Sequence, residues 1–149
     1  MNLSASSIEE LRVPVRRAEV GFHTEREERT AVLFLAPGAS PEDLFEDDAP
    51  FFPAEDDGVV RFFARAAVVA VVVDETVSES RSAFGIPYDR RAISVHLRNG
   101  KVISGGVLSV GRTRTLDLLN QPAKSFAVHA EGKVHHIAKA HVEHIEEGR

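Results

Sequence analysis

Five histidines crowd the last quarter of the chain: His129, His135, His136, His141 and His144. Imidazole is a common ligand for zinc and its neighbours, and a site needs three or four donors that converge. Consecutive strand residues point to opposite faces, which separates His135 from His136. The step from His141 to His144 divides faces in the same way. At most His136, His144 and His129 can meet. The reading therefore assigns no metal and no other cofactor, and treats these histidines as a solvated face. Thiol chemistry is excluded, because the chain has no cysteine. Disulfides, a thiolate nucleophile and Cys-ligated zinc or iron–sulfur sites go with it.

Catalytic patterns are missing as well. No G-x-S-x-G elbow, H-E-x-x-H, Walker A or G-x-G-x-x-G occurs. Ser104 precedes Gly105-Gly106 and reads as a serine beside a bend. The acids Glu42, Asp43, Glu46, Asp47, Asp48, Glu55, Asp56 and Asp57 lack the spacing of a calcium loop and read as a solvated acidic loop. Arg16-Arg17 and Arg90-Arg91 invite comparison with the cyclic-dinucleotide-binding PilZ barrels. Arg12 and Arg16 have the Arg-x3-Arg spacing, but no Asp/Asn-x-Ser-x-x-Gly strand follows either pair. They read as edge-strand arginines. One polar group remains as a candidate ligand-binding site: Arg112, Arg114, Asp117 and Asn120. Its simpler reading is a turn held by Asp and Asn side chains, with Arg112 pairing to Asp117.

The elements that must position these residues come in two sets. Shifted by 74 residues, Asp43-Leu44 falls on Asp117-Leu118, Ala49 on Ala123, Phe52 on Phe126, Gly58 on Gly132 and Val60 on Val134. Ala64, Ala66 and Val68 fall on Ala138, Ala140 and Val142. That is nine identities in 31 positions without a gap, where chance gives about two. Arg16-Arg17-Ala18 and Arg90-Arg91-Ala92 extend the match upstream.

Each repeat reads as β-structure. Ile93, Val95 and Leu97 alternate with polar residues, the period of a half-buried strand. Asn99-Gly100 then predicts a two-residue type I′ hairpin. A return strand over 101–110 contains Gly105-Gly106, where a bulge or sharp bend is expected. One helical turn is expected within 113–120. A hairpin about Glu131-Gly132 and a last strand from about His141 complete the unit. In the first unit, strands are expected near 13–23, 30–36, 59–64 and 67–73, with Phe51-Phe52-Pro53 suiting the third strand. Residues 37–50 read as loop with one turn at 41–45, and Ser7 as the cap of an N-terminal turn. The fold class is all-β: two tandem small Sm/SH3-like bent barrels related by an internal repeat. The first unit spans 1–74, a linker 75–86, and the second unit 87–149.

The second unit runs Gly106-x-Leu108, Arg112-x4-Asp117-Leu118-Leu119-Asn120, Phe126-x-Val128 and Ile137-x-Lys139-Ala140-x-Val142. Over about 55 residues this pattern resembles a family of small bacterial β-proteins classed as a domain of unknown function. The first unit matches less well: Glu46 stands in the place of Asn120, and no arginine corresponds to Arg112. The resemblance implies the β-fold and carries no chemistry.

Charge and composition narrow the function. At 43% hydrophobic and 28% charged the chain is a globular protein. A net charge of −5 disfavours nucleic acid as a partner. The charge is uneven: residues 1–74 hold 15 acids and 7 bases, and residues 75–149 hold 8 acids and 11 bases. The longest apolar run, 62–73, contains Arg65 and is shorter than the roughly 20 residues of a membrane span. The first residues show no signal-peptide pattern, so a cytoplasmic location without a membrane is expected.

Comparison of the two units supplies the functional clue. Phe51, Phe62, Ala67, Val69, Ala70, Val72 and Val73 stand where the second unit has Ser125, His136, His141, Glu143, His144, Glu146 and Glu147. Strand 67–73 is apolar on both faces, so a unit–unit or chain–chain contact is expected there. The interface residues expected are Phe51, Phe62, Val69, Val71 and Val72, with Val68 and Val72 as the alternative pair on the strand. The expected function is a non-catalytic interaction module or assembly adaptor with a protein partner or itself as a homo-oligomer. The alternative is a small-ligand-sensing or nucleic-acid-binding barrel using the basic second unit.

Overall fold

A computed structural model describes residues 15–75, 88–111 and 113–148. The N-terminal turn at 7–11, the start of the first strand, the linker beyond Glu75 and Arg112 lie outside the described residues.

Period-2 alternation sets the strands. Along β1 (Arg16–Thr24) and β2 (Glu28–Leu35), the residues Val20, Phe22, Ala31, Leu33 and Leu35 are buried and their neighbours are more exposed. A 3-10 turn, Pro41–Phe45, follows, with proline at its start and Ser40 and Asp43 forming a capping box. Then come β3 (Phe51–Asp56), β4 (Val59–Ala64), a 3-10 turn at Arg65–Ala67 and β5 (Val68–Asp74). The second half has the same succession. β6 (Asp89–Leu97) and β7 (Val102–Ser109) precede the short helix α1 (Thr115–Leu119). β8 (Ser125–Ala130), β9 (Lys133–Ala138), a 3-10 turn at Lys139–His141 and β10 (Val142–Glu147) follow. The last strands of the two halves therefore begin at Val68 and Val142, after a tight turn. Ala67 and His141 belong to those turns.

All ten strands form one antiparallel sheet in the order β10-β6-β7-β8-β9-β5-β1-β2-β3-β4. The strand pairing is continuous and open, with β10 and β4 at its margins. Two separately closed barrels are not what the hydrogen bonding describes. The reason is β5, which pairs with β1 on one side and with β9 on the other, joining the halves edge to edge.

Turn chemistry explains the hairpins. Asp57-Gly58 and Glu131-Gly132 are two-residue loops with positive φ at both positions, 53° and 75° in the first and 52° and 75° in the second, as type I′ turns require. Asn99-Gly100 differs from the type I′ expectation. Only Gly100 has positive φ, at 88°. Gly100 N–H donates to the Leu97 carbonyl (3.0 Å) and Leu97 N–H to the Lys101 carbonyl (2.9 Å). The loop is thus three residues long, a type I turn followed by a glycine bulge. At Gly105-Gly106 there is no bulge against β6, since β7 keeps an unbroken register with it through both. A Cβ on Gly105 would lie 2.5 Å from the His129 carbonyl oxygen. The glycine admits close approach of β8.

Two apolar cores lie along the sheet. The first gathers Val20, Phe22, Leu33, Phe45, Phe52, Val68 and Val71, with Phe63 packed on Phe22 at 4.9 Å between ring centroids. The second gathers Val69, Ala70, Ile93, Val95, Leu97, Val107, Val128 and Ile137. β5 supplies residues to both.

Candidate functional site

The apolar strand β5 is the hinge of the architecture. Val69 is 2% exposed and Val71 0%, and Val72 is half-buried. Val71 lies opposite His136, Val72 opposite His135, and Asp74 opposite Lys133, with which it forms an ion pair. Phe62 is elsewhere, on the margin strand β4, and is 74% exposed; Phe51, at the start of β3, is 61% exposed and faces the cleft between the halves. The five interface residues expected from the sequence therefore divide: Val69, Val71 and Val72 lie at a junction inside the chain, Phe51 at the cleft beside it, and Phe62 on a strand that has one neighbour among the described residues. Val59 and Val60, also on β4, are exposed beside Phe62.

The halves are further tied by polar contacts that sequence reasoning missed. Lys124 N–H donates to Glu46 Oε1 (2.7 Å), and its Nζ lies 3.1 Å from Asp48 Oδ1. His141 Nε2 donates to the Ala66 carbonyl at 2.6 Å, and its Nδ1 lies 3.6 Å from Glu25. Arg65 stacks on Phe52, donates to the carbonyls of Leu44 (2.5 Å) and Ala49, and lies 3.4 Å from Asp47. The acidic loop is thus partly anchored and only partly solvated. Glu25, Asp47, Asp48, Arg65, Lys124 and His141 line a cleft of about 860 Å³ between the halves. Its charged groups face one another across the gap.

The histidines distribute among separate partners. His129 Nδ1 is 3.1 Å from Glu75, and His136 Nε2 is 3.7 Å from Glu42. His135 packs edge-on against His23 at 6.2 Å. Burial lowers the pKa of both rings below the ordinary value: for His23, Glu28 opposes the shift and Lys101 adds to it, and for His135 the neighbouring His23 adds to it. The trio His129, His136 and His144 does not assemble. His144 instead stacks on His96 of the paired strand β6, with ring centroids 4.2 Å apart. Glu146 Oε1 lies 3.5 Å from His96 Nε2 and 3.6 Å from His144 Nε2. Among the described residues this is the one group of three metal-ligand types with donor atoms within 4.8 Å of one another. Two imidazoles and a carboxylate suit zinc or a similar ion. His96 escaped the sequence reading because its neighbourhood depends on a strand 48 residues away.

The Asp117 group forms a surface turn. Arg114 pairs with Asp117 through Nε (3.0 Å) and Nη2 (3.3 Å); Arg112, also expected beside Asp117, lies outside the described residues. Hydrogen bonding to Arg114 lowers the Asp117 pKa. Both side chains are exposed, and Asn120 closes α1 as its C-cap. Screening by water makes such a pair weak. The paired arginines act as tethers: Arg16 donates to the Ala39 carbonyl (2.8 Å), Arg17 pairs with Glu55, and Arg90 donates to the His129 carbonyl (2.8 Å). Ser104 Oγ lies 3.0 Å from Ser94 Oγ. Among the described residues, no helix is long and apolar enough to cross a membrane.

Comparison with protein-family models, with curated proteins and with solved structures found no match.

Proposed function

We propose that the chain is a non-catalytic interaction module, two small Sm/SH3-like bent units in tandem, that assembles with copies of itself. The observation that carries this reading is the placement of Val59, Val60 and Phe62 on β4. They are exposed on a strand that, among the described residues, has a neighbour on one side only. Long apolar edges are an aggregation hazard that proteins cover, charge or pair. Covering Phe62 and Val60 would contribute about 1.5–3 kcal/mol for each side chain. Each half has its last-numbered strand beside its first, in the orders β5-β1-β2-β3-β4 and β10-β6-β7-β8-β9, which supports a repeat of like units.

The test is the mass in solution of the wild-type chain and of Phe62→Lys, by light scattering across a concentration series. The wild type is expected to associate, and Phe62→Lys to shift toward monomer without loss of melting temperature. A wild type that stays monomeric at every concentration overturns the proposal.

A further inference from the structure

The two margins of the sheet are the counterparts, by strand position in each half, of the two edges that already join inside the chain. The internal junction pairs the last strand of the first half, β5, with the fourth strand of the second half, β9. Among the described residues, the strands left with one neighbour are the fourth strand of the first half, β4, and the last strand of the second half, β10. We propose that copies of this chain join head to tail, β10 of one copy pairing antiparallel with β4 of the next, in the register of the internal junction. This rests on the self-association proposed above and specifies its geometry.

The 74-residue offset predicts that register. Val71 opposite His136 becomes Ile145 opposite Phe62. Ala70 opposite Ile137 becomes His144 opposite Phe63. Val72 opposite His135 becomes Glu146 opposite Arg61. Two of the derived pairs are complementary: the most exposed phenylalanine of β4 meets the half-buried Ile145, and Arg61 meets Glu146; Val73 opposite Val134 becomes Glu147 opposite Val60. Opposite charges across a strand pair are favourable and like charges are not.

Charge also selects head-to-tail over symmetric pairing. A β10·β10 contact would set Glu143, Glu146 and Glu147 of two copies against one another. A β4·β4 contact would bring together two first halves, each with 15 acids against 7 bases. Head to tail, the acidic half meets the half that has 11 bases against 8 acids. An interface of this kind is heterologous, so it closes into a ring or continues as a filament and does not stop at a twofold dimer.

Because the chain has no cysteine, engineered thiols report the pairing directly. Arg61→Cys and Glu146→Cys are both exposed positions. Mixed and oxidised, the two single variants are expected to form disulfides almost only with each other, and the double variant a ladder of oligomers. Arg61→Glu is expected to weaken association by about fivefold or more, with recovery on adding Glu146→Arg in the same chain. If the wild type associates but each single cysteine variant cross-links to itself, or the charge reversal restores nothing, the head-to-tail register is wrong and self-association stands. A monomeric wild type overturns both.

Discussion

Val69 and Glu143 are both the extra residue of a β-bulge, each at the start of the last strand of its half. β5 places Val68 opposite Thr24 and Ala70 opposite His23, so Val69 has no partner. β10 places Val142 opposite Leu97 and His144 opposite His96, so Glu143 has none. A bulge tilts the chain and re-aims the side chains that follow. In the first half this turns Val69 and Ala70 into the second core while Val68 and Val71 stay in the first. In the second half the same bend leaves Glu143 in water.

Exchanging these residues should therefore have unequal effects. Val69→Glu buries a carboxylate without a partner between the halves and is expected to cost about 3 kcal/mol or more. Glu143→Val is expected to leave stability nearly unchanged. Chemical denaturation of both variants checks this. Equal midpoints would mean that β5 does not separate two cores.

The glycine pair on β7 offers a steric test. Gly105→Ala would place a methyl 2.5 Å from the His129 carbonyl oxygen and 2.8 Å from Val128 Cγ1. Backbone cannot yield cheaply there, and a loss of about 1–3 kcal/mol is expected. The urea midpoint reads it. An unchanged midpoint would place β8 further from β7 than described.

Stability should fall on mild acidification. Burial holds the His23 and His135 pKa values below 6.5 in the folded chain. Below pH 6.5 the unfolded chain binds protons that the folded chain resists, so stability falls as pH drops through that window and is retained above it. The double variant His23→Gln/His135→Gln is expected to flatten the slope of unfolding free energy between pH 7.5 and pH 5. A slope as steep as the wild type would show that other groups carry it.

Metal titration separates the histidines. Zinc is expected to perturb the ring resonances of His96 and His144 together, because their nitrogens and Glu146 converge. His129 and His136, beside Glu75 and Glu42, are expected to stay unmoved. His96→Ala should abolish the response at His144. A response centred on His136 would contradict the geometry.

Much of this protein was legible from local chemistry. Alternation of apolar residues placed β6, and Glu131-Gly132 marked a hairpin, with Gly58 matched to Gly132 by the repeat, because glycine tolerates the positive φ those turns impose. The valines of β5 announced a strand covered on both faces. Such features depend on a residue and its near neighbours, so one chain suffices to read them. The partners across the sheet are another matter. That β5 lies against β9 and makes one open sheet, and that His96 meets His144, were decided by tertiary structure. Pairing between residues some 50 to 70 positions apart depends on register and on competition among many similar edges. Even the Asn99-Gly100 loop took its length from where Leu97 and Lys101 meet across the strands, because strand register outweighs the local preference of a dipeptide.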